Sequence, residues 1–379
     1  MNSRERVIHA INHEHVDRIP IYWGGTSSWM TDRAYMNLVD HLGLDGYGRP
    51  YRTGHTGNYI DNRILELFNV DVRMLQMQIS IDEKRIDNNT IVSDWGILLR
   101  TVDGYGIRID PPFASLDIER ALLNGSLSEL IDAHSWPDPF DARRTLGLEE
   151  DLIYHQERSD AALVARSPQS ASFIEYGCWL RGDAQFYMDL YLYPEFINML
   201  LDKILEIQKG FYTSFLQVVG GSVDIVETSE DYGTQDGLLI SPEQLREYIF
   251  PRRKELNRHI RDLAPDIKIM HHSCGAVTPI IGDLYQTGVD ILNPIQPIAD
   301  LMDHSMLKES YGDKMVFCGG LDMIGAMTRS EESIEQEIRK RVDIFGHDGG
   351  YLISTSNHLQ RDTSPEQIVY VFERLKELV

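Results

Sequence analysis

The segment Lys268-Ile269-Met270-His271-His272-Ser273-Cys274-Gly275 runs from apolar residues into histidine, cysteine and glycine. Imidazole and thiolate are the side chains zinc prefers. In an extended strand alternate side chains share a face, so His272 and Cys274 lie about 6.6 Å apart on one side while His271 and Ser273 take the other. One ion can accept both donors. A small core thiol beside hydrogen-bonded imidazoles produces the same pattern, so the neighbouring strand ends have to decide. Four other segments end in comparable chemistry: Val226-Glu227-Thr228-Ser229-Glu230-Asp231-Tyr232-Gly233-Thr234-Gln235, Asn293-Pro294-Ile295-Gln296, Phe317-Cys318-Gly319-Gly320, and Ser354-Thr355-Ser356-Asn357-His358. Glu227, Cys318 and His358 are the candidates for a third zinc ligand. Without a metal, Asp231 and His358 form an acid and base pair for a small substrate.

These segments recur in a strand–helix rhythm. Strands are predicted over 18–25, 72–79, 161–165, 223–228, 267–272, 289–293, 314–318 and 350–354 from short apolar runs bounded by turn residues. Helices are predicted over 2–12, 30–44, 60–68, 147–158, 185–192, 194–219, 277–287, 300–310, 330–345 and 364–379. One more runs from the Ser241-Pro242-Glu243-Gln244 cap to about Leu263, kinked at Pro251. Between 88 and 116 the pattern changes to alternating β-rich runs around Asp103-Gly104, which predicts an antiparallel hairpin insertion. Units of this kind predict a (β/α)8 TIM barrel forming a single domain over 1–379, with its site at the C-terminal strand ends. A doubly wound sheet is the alternative, but neither the dinucleotide glycine fingerprint nor a P-loop occurs.

With 379 residues, 42% of them hydrophobic, the chain can bury a large core. The formal charge of -23, from 59 acidic against 36 basic residues, argues against a nucleic-acid surface. No long apolar run or secretion signal is present, and three cysteines make a disulfide framework implausible, so the expected location is cytoplasmic.

Several stretches resemble the uroporphyrinogen decarboxylase superfamily, a (β/α)8 group that includes zinc-dependent, corrinoid-linked methyltransferases. The likeness rests on Asp231-Tyr232-Gly233-Thr234-Gln235-Asp236-Gly237 with Ser241-Pro242, on His272-Ser273-Cys274-Gly275, on Gly288 to Gln296, on Gly319-Gly320-Leu321-Asp322, on Gly349-Gly350-Tyr351, and on Trp179-Leu180-Arg181-Gly182. It covers the C-terminal 200 or so residues well and the rest loosely. Where the decarboxylases carry an arginine-rich substrate grip after the first strand, this chain reads Trp23-Gly24-Gly25-Thr26-Ser27-Ser28. The H-x-C pair is what the methyltransferase branch uses for zinc; that branch adds a cysteine after the last strand, where this chain has Asn357-His358. No Asp-x-His-x-x-Gly cobalamin motif occurs, so the resemblance implies a corrinoid delivered by a separate protein. The expected function is therefore zinc-assisted methyl transfer between a small substrate and a partner's corrinoid. His272 and Cys274 hold the metal, Asp231, Glu227 and His358 act in catalysis, and Tyr232, Gln235, Asn293, Gln296 and Asn357 bind substrate. A decarboxylase of a tetrapyrrole or smaller acid is the alternative, and a non-catalytic binding barrel is a third reading. The family likeness also makes a homodimer plausible.

Overall fold

Asn2 accepts from the Glu5 amide at 2.8 Å and Glu5 returns a bond to the Asn2 amide, so the predicted cap opens the helix Ser3–Ile11. The fold is that of a computed structural model, described for residues 1–48, 57–59, 61–102, 105–169, 171–322, 325, 329–360 and 362–379. A short ribbon pairs β1 (Met30–Thr31) with β2 (Gly57–Tyr59). The main sheet begins with β3 (Val72–Leu75), and is followed by β4 (Lys84–Arg85), β5 (Thr90–Val92), β6 (Leu98–Val102) and β7 (Tyr105–Ile109), which form a separate four-stranded antiparallel sheet in that order. The expected insertion is therefore one strand pair larger than a hairpin; the Asp103-Gly104 turn falls outside the described residues.

The main sheet resumes with β8 (Ala162–Ala165), β9 (Ile225–Ser229), β10 (Lys268–His272), β11 (Ile291–Asn293), β12 (Val316–Leu321) and β13 (Tyr351–Thr355). All seven of its strands run parallel, in the order β13-β12-β11-β10-β9-β8-β3. Helices fill each crossover and their apolar faces join one continuous core with the strands. The strand predicted at 18–25 is reduced to a single bridge. Ile21 pairs with Ile353 of β13, and its carbonyl accepts from the Asp71 amide, just before β3, at 2.9 Å. Pro20 lacks an N–H and Gly24 turns back to Ser28, so the segment cannot extend a ladder in either direction.

The helix after β9 starts as the cap predicts, with Ser241 accepting from the Gln244 amide at 3.3 Å. The kink expected at Pro251 appears as a π-turn over Leu245–Ile249, directly ahead of the proline that cannot donate to the preceding turn. No helix among the described residues is long and apolar enough to cross a membrane.

Candidate metal centre

Parallel registry decides which strand-end residues meet. Strand β9 pairs with β10 so that Ser229 sits beside His272. Two residues further along each chain, Asp231 comes beside Cys274, and the Cys274 amide donates to Asp231 Oδ1 at 2.8 Å. The turn that carries Cys274 depends on Gly275, whose φ of 87° lies in the left-handed region and whose missing Cβ leaves room for the Gly233 backbone. Ala276 donates to the Thr234 carbonyl across that contact at 2.8 Å. The two site loops are thereby locked together.

Donor atoms of Asp231, His272 and Cys274 all lie within 4.8 Å of one another, and theirs is the one group of three such donors found among the described residues. His272 Nε2 is 3.6 Å from Cys274 Sγ and 3.5 Å from Asp231 Oδ1. The other ring nitrogen, Nδ1, is 3.3 Å from Asn293 Oδ1. Because Asn293 Nδ2 donates to Cys318 Sγ at 3.2 Å, its oxygen is the end that faces the imidazole, so Nδ1 carries the proton and Nε2 presents a lone pair. Burial pulls the His272 pKa down, but the neighbouring Cys274 and Asp231 outweigh it and raise it well above the usual value. Burial acts upward on Asp231 too, and the His272 bond overrides it, leaving that carboxyl below its usual range. The electrostatics thus call for positive charge at Nε2, which a proton or a metal cation supplies. His272 keeps 11% of its side chain exposed and Asp231 39%, so the cluster is reachable from solvent on its acid side.

The three expected third-ligand candidates all lie elsewhere. Glu227 pairs with Met270, two residues below His272 on the ladder. Its carboxylate accepts from Tyr22 Oη at 2.6 Å and from Thr26 Oγ1 at 2.8 Å, so it clasps the N-terminal segment. Gly25 is needed there because a side chain would collide with that carboxylate. Cys318 is fully buried two strands away, and burial pushes its thiol far up. His358 stacks on Trp29 with ring centroids 4.2 Å apart and bonds Gln360 at 2.6 Å; burial and His272 lower its pKa to about 4.

Of the residues expected to bind substrate, Tyr232 packs against the helix Phe250–Leu263. It is fully buried on the helix side, where Arg253 Nε reaches its hydroxyl at 3.4 Å. Asn293 holds His272. Gln235 Nε2 donates to Gln296 Oε1 at 2.9 Å, and the same oxygen accepts from the Gly275 amide at 2.9 Å, so this pair braces the Cys274 turn. Asn357 accepts from the His358 amide at 2.8 Å. Sequence reasoning missed Glu175, on the helix Phe173–Arg181. Burial, then Asp231 and Glu230, raise its pKa to about 8, which keeps it protonated at neutral pH.

Residues 171–378 match the family model for uroporphyrinogen decarboxylase. No curated protein matches the chain. Among solved structures, a methyltransferase from Methanosarcina mazei is similar across 100% of this chain and 99% of its own, at 15% identity and a TM-score of 0.65. A beta-glucanase from Saccharophagus degradans overlaps 80% of this chain and 94% of its own at 12% identity, with a TM-score of 0.38. With more than half of its length matched by that one model, the chain belongs to the uroporphyrinogen decarboxylase family.

Proposed function

We propose that the chain is a methyltransferase of this family, which moves a methyl group between a heteroatom of a small substrate and a corrinoid carried on a separate protein, with zinc held by Asp231, His272 and Cys274. The observation that carries the zinc reading is the meeting of a thiol and a carboxylate on the same ring nitrogen, His272 Nε2. Cys274 and Asn293 on opposite ring nitrogens would suit a Cys–His–Asn relay, but such a relay has no use for a carboxylate beside the thiol, and the Asp231 oxygen on Nε2 is what a metal's donor set adds. One nitrogen, one sulfur and one carboxylate oxygen fit zinc and leave its fourth position open for substrate. Zinc bound there supplies Lewis acidity toward the heteroatom that gives or accepts the methyl group.

The chain's own side chains do the rest. Asn293 holds the imidazole tautomer, while Gln235 and Gln296 fix the Cys274 turn and so the direction of its sulfur. Asn357 and His358, just past the end of β13, are the residues this reading assigns to the approach of substrate. The barrel expected from the sequence is completed, on this reading, by Ile21 as a one-residue eighth strand. The absence of the arginine grip in Trp23 to Ser28 favours a small substrate over a porphyrinogen polyacid.

Metal analysis of the purified protein tests this reading. Stoichiometric zinc is expected in the wild type, with loss in His272→Ala and Cys274→Ala and weakened retention in Asp231→Ala. A metal-free wild type that decarboxylates uroporphyrinogen would replace the proposal with the decarboxylase alternative.

A further inference from the structure

The antiparallel sheet is not a bystander to the site. A cavity of about 210 Å³ is lined by its residues Leu99 and Arg108, by Trp95 in the loop ahead of β6, by Gln169 beyond the end of β8, and by Tyr176 and Trp179 of the helix Phe173–Arg181. Aromatic surface dominates one part of it. Trp95 stacks on Tyr176 with centroids 3.9 Å apart, and Tyr176 meets the Trp179 ring edge-on at 5.0 Å. The Arg108 guanidinium lies 3.5 Å above Trp179.

One buried hydrogen-bond donor here lacks an acceptor, and one exposed cation lacks a hydrogen-bonded protein partner, among the described residues. Among the described residues Arg108 has no hydrogen-bond or ion-pair partner, although its guanidinium carries five N–H groups. Gln169 is buried. Its Oε1 accepts from Trp95 Nε1 at 3.2 Å and from the Tyr176 hydroxyl, which fixes the amide, and its Nε2 is left without a partner. A buried donor in that condition lowers stability until something supplies an acceptor. Asp94 in the wall is neutralised by Arg144 at 2.8 Å. An apolar cavity of about 150 Å³ accommodates benzene, so this one holds a single ring with small substituents.

We propose that this cavity binds a monocyclic aromatic carboxylate, its ring against the Trp179 and Tyr176 side and its carboxylate on Arg108 and Gln169. The helix that carries Tyr176 and Trp179 is tied to the loop of the metal centre, because Glu230, next to Asp231 in the chain, accepts a hydrogen bond from the Ile174 amide at the start of that helix. That the ligand is the substrate of methyl transfer rests on the reading above; that the cavity binds it does not.

Calorimetric titration with benzoate, benzamide and cyclohexanecarboxylate tests the cavity on full-length protein, both zinc-loaded and stripped by chelator. Benzoate is expected to bind both forms, and Arg108→Gln to weaken it tenfold or more while leaving benzamide unchanged. Arg108 is exposed on an edge strand, and an unchanged thermal melt verifies that the variant folds; the comparison of ligands on wild type stands without it. No benzoate binding, or equal binding by Arg108→Gln, overturns the proposal. Cyclohexanecarboxylate binding as tightly as benzoate overturns its aromatic part. Benzoate bound by a protein that never takes up zinc sinks the metal reading alone, and zinc-loaded protein indifferent to benzoate sinks the cavity alone.

Discussion

His272 can offer a lone pair at Nε2 only while Nδ1 keeps its proton, and Asn293 Oδ1 at 3.3 Å is the acceptor that holds it. Removing such a partner typically costs about 10–100-fold in metal affinity. Asn293→Ala should therefore weaken zinc by that factor in competition with a chromogenic chelator, without unfolding the chain; an unchanged affinity would remove Asn293 from the site. The His272 and Cys274 pairing was legible because strand alternation alone puts them on one face. The third donor was not. Asp231 stood out by its chemistry, as an acid, but its place beside Cys274 follows from the registry of β9 against β10, where Ser229 and His272 are partners. Writing the two strand ends in parallel from adjacent units would have aligned them; taken strand by strand, the sequence offers Glu227, Cys318 and His358 as candidates instead.

At the scale of elements, segments with a clear period were readable and those without one were not. The helix Phe173–Arg181 escaped because it is buried on most of its circumference, with Phe173, Ile174, Tyr176, Gly177, Cys178, Leu180 and Arg181 all inside. A helix apolar all round shows no stripe to find. Gly177 within it reads as a breaker, yet it is there because the Phe186 ring occupies the space of its side chain. The contact between the helices His304–Tyr311 and Glu331–Phe345 supplies a pH test. Arg341 Nη1 donates to His304 Nδ1 at 2.8 Å, so Nε2 carries the ring proton and donates to the Ile295 carbonyl at 3.0 Å. Burial, then Arg341, lower the His304 pKa to about 3 from 6.5. The folded chain keeps this ring neutral where the unfolded chain protonates it. Its stabilising contribution is complete above about pH 6.5 and drains as pH falls toward 3, at up to about 1.4 kcal/mol per pH unit. His304→Gln should be less stable than wild type at pH 7.5, with the gap narrowing steadily on acidification in urea titrations. A gap independent of pH would show that the His304 pKa is the same in the folded and unfolded chain, and a gap that widens on acidification that the ring is held charged.

At the scale of the whole molecule, one short segment reaches both ends of the main sheet, and its attachment is ionic as well as hydrogen-bonded. Asp71, fully buried ahead of β3, accepts from Arg6 Nη1 at 2.8 Å, from Arg18 Nη1 and Nη2 at 2.7 Å each, and from the Ile21 amide at 2.7 Å. It therefore ties the first helix, the Ile21 bridge and the first strand of the main sheet to one carboxylate. The strand expected at 18–25 pointed to the right place, but its ladder had to be minimal. With Pro20 donating nothing and Gly24 turning away, side-chain bonds to Asp71 take over what backbone pairing does elsewhere. Removing one partner of a buried ion pair costs about 3–5 kcal/mol because the others are left uncompensated. Asp71→Ala should lose about that much in urea denaturation, and protease cleavage should appear first between Glu14 and Ser28. Since Asp71 lies before the N-terminal end of β3 and the metal donors lie at the C-terminal ends of β9 and β10, zinc bound per folded molecule should not change. A loss below about 1 kcal/mol would mean that Ile21 is held by its backbone bonds alone.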